Sequence, residues 1–279
     1  MGIGQNRQRN YTQRLSSSRV LRRLVSTLPR GGVRVARTLS NHFPTSGVLD
    51  LVGPGKGLRM FLETADPFQA EMAFGVYQPR VLSAVQGLAQ AGDTILMAGA
   101  QLGYVMLALA RVIGPQGRVI GFEADPRVAL KCSDNLKLNK ECAAELCSVG
   151  LGSENVTLEL WASDTAGHSS FAAPHQADAR INVTVRTGDD VLREKEIRRL
   201  DGIVLDVEGW EPHVLDGLKE TLSAALPRWA VIESCAWALK DAGSSAEQLR
   251  SKLHQFGWNM RSVSGRAIAD NDDIICLRP

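Results

Sequence analysis

The stretch that decides the fold of this chain, residues 94–113, reads TILMAGAQLGYVMLALARVI. It opens with a short apolar run, Thr94 to Ala98, and closes with Tyr104 to Ile113, which has the length and composition of a helix. Gly99 and Gly103 lie in the turn between these two parts. A short apolar run that leads through glycines into a helix is typical of a buried strand in an α/β protein. We therefore predict a strand, a tight turn and a helix.

The same alternation of strand and helix continues along the chain. Further strands are predicted at 118–122, 145–149, 202–205 and 230–233, and helices at 79–91, 126–139 and 211–222. This pattern predicts a doubly wound, mostly parallel Rossmann-like sheet, which we expect to have seven strands. Apolar and polar residues alternate at 156–161 and 182–186, which predicts a small antiparallel β insertion. Residues 259–263 and 274–277 predict a closing hairpin.

The N-terminal segment differs in composition from the rest of the chain. Residues 1–49 hold nine arginines and no acid, whereas the whole chain has a net charge of only +2, so the remainder is net acidic. We predict one or two short helices within residues 11–39 and a linker at 41–57, and we divide the chain into a largely helical basic extension, 1–57, and a domain, 58–279. The extension could pack on the domain, serve as a mitochondrial transit peptide, or contact an anionic surface.

Composition excludes several classes of protein. Apolar residues make up 44% of the chain and charged residues 22%, which are globular values. The longest uncharged apolar run, residues 95–110, is shorter than the ~20 residues of a membrane-spanning helix. Five cysteines without a C-x-x-C pair argue against a disulfide framework and a zinc site. We therefore expect a cytoplasmic protein, with a mitochondrial location as the alternative. The acidic run 270–273 predicts a hairpin turn, and we expect no metal.

The turn after the first strand indicates a nucleotide-type cofactor. Glycines there let a ligand approach the backbone, and the free amides of the following helix favour a carboxylate or phosphate. Glu123 follows the next strand and can accept hydrogen bonds from both hydroxyls of a ribose. The spacing is G-x-x-x-G, and Ala100 and Gln101 crowd the approach to the backbone that the middle glycine of a dinucleotide site leaves open for a pyrophosphate. This spacing favours S-adenosylmethionine and disfavours NAD.

A second cluster of polar residues follows the strand at 202–205. The sequence Asp206-Val207-Glu208-Gly209-Trp210-Glu211 puts three carboxylates within six residues at the same edge of the sheet. Glu208 and Glu211 could simply stabilise the first turn of the next helix. Asp206 stands at the end of the strand itself, where a catalytic residue is expected.

Residues 74–277 contain several motifs that resemble those of the FkbM-type S-adenosylmethionine-dependent O-methyltransferases, a class I methyltransferase family. These motifs are Tyr77, GAQLGY at 99–104, GFEADP at 121–126, GHSS at 167–170, LDVEG at 205–209, and Ile232-Glu233. The resemblance implies methyl transfer to a hydroxyl of a sugar, glycolipid or secondary metabolite, a small-molecule acceptor. The predicted cofactor-binding residues are Gly99, Ala100, Gln101, Gly103, Tyr104, Glu123, Ala124, Gly152 and Asp206. The candidates for the general base are Asp206, then Glu208, then His168.

Three residues depart from the family pattern. Met97 replaces the usual aspartate before the glycine turn, Gln101 replaces an asparagine, and Gln78 replaces the glutamate after Tyr77. A thioether accepts only weak hydrogen bonds, so Met97 could weaken binding of the cofactor's ammonium group. The alternative function is a non-catalytic protein that keeps this fold to bind a partner. The chain lacks an aromatic-proline motif for base methylation, so we expect no nucleic-acid substrate.

Overall fold

The computed structural model describes residues 18–28, 31–163, 169–172, 179–224 and 227–279. Its strands are β1 (Ser46–Asp50), β2 (Arg59–Glu63), β3 (Thr94–Ala98), β4 (Arg118–Phe122), β5 (Ala144–Cys147), β6 (Gly150–Leu151), β7 (Val156–Ala162), β8 (Ala179–Arg186), β9 (Gly202–Leu205), β10 (Trp229–Ser234), β11 (Asn259–Ser262) and β12 (Asp272–Leu277). Its α-helices are α1 (Arg19–Ser26), α2 (Gly32–His42), α3 (Pro67–Ala73), α4 (Pro79–Leu88), α5 (Tyr104–Ile113), α6 (Pro126–Lys137), α7 (Gly188–Glu194), α8 (Glu211–Asp216), α9 (Lys219–Ser223), α10 (Ala236–Asp241) and α11 (Ala246–Gln255).

A central sheet of seven strands organises the described residues, as the sequence predicts. The strand order is β11-β12-β10-β9-β3-β4-β5, with parallel pairing from β10 to β5 and antiparallel pairing at β12 and β11. The predicted insertion is confirmed as an antiparallel pair, β7 and β8, in a separate small sheet with β6. No described helix is both long enough and apolar enough to cross a membrane.

Apolar side chains cover both faces of the central sheet, which is why its inner strands read as continuous apolar runs. One cluster joins Ile95 and Met97 of β3 to the residues of α4 and α5. The other joins Leu96 and Ala98 to α8 and α11. Helices therefore pack on each face, and the carboxyl ends of the parallel strands remain open at one edge, where ligands bind in such folds.

The prediction of a linker at 41–57 is wrong in part, because this segment contains strand β1. Pairing runs antiparallel from Ser46 opposite Glu63 to Asp50 opposite Arg59. The backbone hydrogen bonds of β1 come from a partner strand further along the chain, so its glycine- and proline-rich surroundings alone do not reveal it. Residue 57 lies in the loop between β1 and β2. The boundary that we propose between the basic extension and the domain therefore falls inside this hairpin.

The predicted helix 211–222 is two helices, because the chain is interrupted at Gly217. A Cβ atom on Gly217 would lie 1.9 Å from the carbonyl oxygen of Gly152, so another segment of backbone packs directly against this position. Gly217 also accepts a hydrogen bond from the backbone N–H of Asp189 through its own carbonyl oxygen. The break therefore comes from close packing between distant segments.

The predicted turn at 270–273 is shorter than expected. Asp272 and Asp273 lie in β12, paired with Ser234 and Glu233 of β10. The Asp272 carboxylate accepts a hydrogen bond from the Ser262 hydroxyl of β11 at 2.9 Å. The carboxylate thus connects strands, a use that acidic composition alone does not indicate.

Candidate functional site

A cavity of about 310 Å³ opens at the carboxyl ends of β3, β4, β9 and β10. The structure brings most of the predicted site residues into its wall. These residues are Gly99, Ala100, Gln101, Tyr104, Glu123, Ala124, Asp206 and Glu208. Residues that follow different strands of the sheet therefore line one space, as expected for a ligand site at this edge.

Two predicted site residues that the structure describes, Gly103 and Gly152, are not in the cavity wall. Gly103 shapes the turn with φ of +89° at the N-terminus of α5. Gly152 lies just beyond Gly150 and Leu151, which do line the cavity, and its N–H is bonded to the carbonyl oxygen of Arg186. His168 falls outside the described residues.

Gly99 makes the tight junction between β3 and the loop after β9. Its φ of +83° is a left-handed conformation that glycine adopts at little cost. A Cβ atom at this position would lie 1.8 Å from the carbonyl oxygen of Asp206. The glycine therefore permits the two loops that border the cavity to touch.

Much of the hydrogen-bonding capacity of the turn is used within the protein. The N–H groups of Gly99 and Ala100 both donate to the Phe122 carbonyl oxygen, at 3.0 and 2.9 Å. The Gln101 N–H donates to Glu123 Oε2 at 2.9 Å. The N-cap residue of α5 is Gly103, which has no side chain to cap the helix. The donors for a bound carboxylate are consequently the first-turn amides of α5, beginning at Tyr104.

Glu123 is fixed before any ligand arrives. In addition to the Gln101 N–H, the N–H of Asp125 donates a hydrogen bond to Glu123, at 3.0 Å from Oε1. Burial raises the pKa of Glu123 to about 7, although these amide hydrogen bonds oppose the shift. Each carboxylate oxygen can accept one further hydrogen bond, so Glu123 retains the capacity to receive two hydroxyl donors.

Asp206 and Glu233 form the most strongly perturbed part of the site. They follow the paired residues Leu205 and Ile232 on neighbouring parallel strands, and their carboxyl groups are hydrogen-bonded to each other. Gln78 Nε2 donates to Asp206 Oδ2 at 3.2 Å. Burial raises the pKa of both acids, and for Glu233 the charge of Asp206 adds to the shift. Ionisation of one of these acids therefore disfavours ionisation of the other.

The loop after Asp206 is held by a buried carboxylate. Glu211 Oε1 accepts hydrogen bonds from the N–H groups of Val207, at 3.0 Å, and Gly209, at 3.3 Å. Glu208 is thereby presented to the cavity with φ of +53°, a left-handed conformation that is uncommon for a residue with a side chain. Burial, together with the charges of Asp206 and Glu211, raises the pKa of Glu208 to about 8.

Aromatic rings form the apolar part of the wall. Tyr77 packs edge-on against Tyr104 and Phe68, with ring centroids 5.7 and 6.4 Å apart. The Tyr77 hydroxyl donates to Gln101 Oε1 at 3.4 Å. Trp237 also lines the cavity and is 54% exposed, so it lies at the entrance. These rings offer surfaces on which a flat ring or a sugar can stack.

The β insertion contributes to the same wall. Ser169 Oγ donates to Asp125 Oδ2 at 3.1 Å, and Ser170 Oγ donates to the Glu208 carbonyl oxygen at 3.2 Å. Both serines line the cavity. The insertion is therefore linked by hydrogen bonds to the loops that follow β4 and β9.

Sequence reasoning left several wall residues out of the site. Gln78, Glu233, Cys235 and Trp237 were not assigned to it, although Glu233 belongs to a motif of the resembling family. The described wall contains four carboxyl groups and no lysine, arginine or histidine. The signal that could have found Glu233 is its place at the end of a strand, next to Asp206.

Comparison with known proteins gives a family match and several similar solved structures. A family model described as the methyltransferase FkbM domain matches residues 98–260. No curated protein sequence gives a significant match. Similar solved structures include a SAM-dependent methyltransferase from Aquifex aeolicus (13% identity, covering 71% of this chain and 87% of that chain, TM-score 0.41). Fibrillarin from Aeropyrum pernix, solved with S-adenosyl-L-methionine, is 14% identical (coverage 70% and 73%, TM-score 0.42). An O-methyltransferase of tomaymycin synthesis from Streptomyces achromogenes is 15% identical (coverage 72% and 79%, TM-score 0.43).

Proposed function

The chain belongs to the FkbM methyltransferase family, and from this premise we propose that it transfers a methyl group from S-adenosylmethionine to a hydroxyl of a small-molecule acceptor. The observation that carries the proposal is the convergence of Glu123, the glycine turn and the Asp206–Glu233 pair on one cavity. The acceptor class is a sugar, a glycolipid or a secondary metabolite.

The residues of the cavity fit the cofactor. Glu123 is held by two amides and keeps lone pairs for the ribose hydroxyls. The uncapped N-terminus of α5 suits the carboxylate of the methionine end. Met97, 4% exposed in the wall, supplies an apolar contact where the family has an acid.

S-adenosylmethionine supplies, when bound, a methyl group on a positively charged sulfur. The protein's part is to align the acceptor oxygen with that methyl group and to take the hydroxyl proton. Alignment can contribute up to ~7–11 kcal/mol, whereas a general base adds ~10²–10⁴-fold, or about 3–5 kcal/mol. Positioning therefore accounts for the larger part of the rate.

Asp206 is our first candidate for the base, because it reaches the cavity from the end of β9 and has hydrogen-bond donors on both sides. When Asp206 takes the hydroxyl proton, Gln78 and Glu233 hold its oxygens in place. Glu208 is the second candidate, with a carboxyl group in the same wall. His168 remains the third.

The lack of basic side chains in the described wall limits the kinds of acceptor that can bind there. Four carboxyl groups without a basic partner in the described wall disfavour an acceptor that carries a phosphate or carboxylate near its reacting hydroxyl. Carboxyl groups and the exposed ring of Trp237 instead suit a neutral polyol such as a sugar. We therefore rank neutral glycosyl acceptors first.

Titration calorimetry tests the cofactor assignment. We expect S-adenosylmethionine and S-adenosylhomocysteine to bind and NAD to bind weakly or not at all, and tighter binding of NAD would falsify the assignment. The competing function, a non-catalytic partner-binding protein, is motivated by Met97. It would be favoured if the chain failed to bind the cofactor at millimolar concentration and Met97→Asp restored binding.

We propose a cytoplasmic location. All five cysteines are free thiols, which suits a reducing compartment. Cell fractionation, followed by N-terminal sequencing of the mature protein, tests this location. Import into mitochondria would be revealed by removal of the arginine-rich segment.

A further inference from the structure

Helix α1 buries Val25 in the apolar core, as a surface helix does, but its other residues depart from that arrangement. Its Arg22 is only 2% exposed, and the guanidinium donates to the carbonyl oxygens of Asp50, at 2.9 Å, and Ala73, at 3.1 Å. Val20 and Leu24, by contrast, are 71% and 62% exposed. A helix that places an arginine inside and aliphatic side chains outside has an outer face suited to a surface that is not water.

Further exposed aliphatic residues lie in the same part of the chain. Val20, Leu24 and Leu28 are spaced by four residues, which places them on one side of α1 and its continuation. Val33 and Val35 of α2, each 37% exposed, follow. Half of the exposed large hydrophobic side chains in the described part of the chain thus lie between residues 20 and 35.

Exposed arginines accompany these aliphatic residues, with one acid, Asp50, beside Arg19. Arg19, Arg23 and Arg34 are exposed beside the aliphatic residues. The first acid in the chain is Asp50, whose carboxylate lies 3.9 Å from Arg19. The surface formed by Arg19, Val20, Arg23, Leu24, Leu28 and Val33, which we name the N-terminal face, therefore combines positive charge with exposed aliphatic area.

We propose that the N-terminal face binds the surface of a bilayer rich in anionic phospholipids. Interfacial helices of this kind bury aliphatic side chains at the boundary between headgroups and acyl chains, while arginines meet the lipid phosphates. Nucleic acid is a poorer partner, because binding to single strands uses aromatic stacking, and the described part of this face offers aliphatic side chains instead.

The N-terminal face is connected to the cavity through α2. The Arg37 guanidinium lies 5.8 Å from the ring centroid of Phe68, a residue of the cavity wall. Arg37 Nε also donates to Glu71 Oε1 of α3 at 2.7 Å. A bilayer bound at this face would therefore lie beside the helices that border the cavity, an arrangement suited to a glycolipid acceptor.

Vesicle flotation with the full chain tests the proposal. The probes are vesicles of phosphatidylcholine alone and of phosphatidylcholine with 30% phosphatidylglycerol, in low and high salt. We expect binding to the anionic vesicles only, reduced by salt. Val20→Ser with Leu24→Gln should weaken binding about tenfold or more, and Arg19→Gln with Arg23→Gln should weaken it by about fivefold per charge.

The matched control is Leu130→Gln on α6, where the leucine is 63% exposed outside the N-terminal face. It should bind anionic vesicles like the unmodified chain, and all variants should keep their melting temperature. Equal loss in the Leu130 variant, equal binding to both kinds of vesicle, or no binding would overturn the proposal. Salt-sensitive binding of an RNA oligonucleotide without vesicle binding would assign the face to nucleic acid. None of these readouts depends on methyl transfer.

Discussion

The carboxyl groups of Asp206 and Glu233 meet at the ends of two adjacent parallel strands, β9 and β10. Two buried carboxyl groups this close cannot both ionise readily, because the charge of one disfavours ionisation of the other. Gln78 Nε2 also donates a hydrogen bond to Asp206 Oδ2. These contacts make Asp206 the member best stabilised as the anion, and hence the member suited to accept a proton.

Asp206→Asn should reduce kcat by about 10²–10⁴-fold, because the amide cannot accept the acceptor's proton. Burial raises the pKa of Asp206, so the rate of the unmodified enzyme should rise with pH through a range above that of an ordinary aspartate. The asparagine variant should lack this rise. Steady-state rates across pH, with calorimetry for the cofactor, provide the measurement.

Two variants of Glu233 test whether this residue acts by positioning Asp206. Glu233→Gln retains a hydrogen-bond donor toward Asp206 and should keep most of the activity, whereas Glu233→Leu removes the donor and should move the rise in rate to higher pH. If both variants behaved alike, or if the asparagine variant of Asp206 kept full activity, the base would have to be sought at Glu208 or His168.

Gln78→Glu should move the same pH dependence upward. The substitution replaces the amide that donates to Asp206 Oδ2 by a carboxylate, which disfavours the charged form of Asp206. Gln78→Leu removes the donor without adding charge and should cause a smaller displacement. Gln90→Glu adds the same charge at an exposed position and should leave the pH profile unchanged. A Gln78→Glu profile identical to the control would exclude the contact from catalysis.

Gly99→Ala should disrupt the site more than its backbone angle alone explains. Gly99 and Gly92 share a φ of +83°, but a Cβ atom would meet the Asp206 carbonyl oxygen at position 99 and nothing within 4 Å at position 92. Gly92→Ala should therefore cost only the left-handed penalty, about 1–2 kcal/mol. Thermal melting and cofactor titration of both variants should show a larger fall in melting temperature and weaker cofactor binding for Gly99→Ala. Equal effects would contradict the close approach.

The sheet could be predicted from the sequence because strands such as β3 and β4 are buried on both faces and read as apolar runs between glycines and charges. The position of Glu123 followed from the same rule, since it ends a strand. Contacts between segments far apart in sequence could not be predicted: Gln78 reaches Asp206 across 128 positions. Strand β1 likewise depends on pairing with β2.

Glu211→Leu should loosen the loop that carries Asp206 and Glu208. It leaves the buried N–H groups of Val207 and Gly209 without their acceptor, at a cost of about 1–3 kcal/mol in unfolding free energy. Glu211→Gln keeps an oxygen in the same place and should cost less, the more so because burial raises the pKa of Glu211 to about 7. Denaturant unfolding of the two variants measures the difference, and equal stability would show that the hydrogen bonds contribute little.

Glu208 should make the fold less stable as the pH rises. Its pKa is raised to about 8 in the folded chain, mainly by burial, whereas an unfolded glutamate titrates near its ordinary value of 4.5. A group of this kind stabilises the fold below the unfolded pKa and loses that contribution as the pH rises through the folded one. The melting temperature should therefore fall between about pH 5 and 8, more steeply in the unmodified protein than in Glu208→Gln. Glu154→Gln, at an exposed position, should follow the unmodified protein. Parallel curves for the unmodified protein and Glu208→Gln would mean that the Glu208 carboxyl group reaches water and ionises freely, and the acidic wall would then be open to solvent.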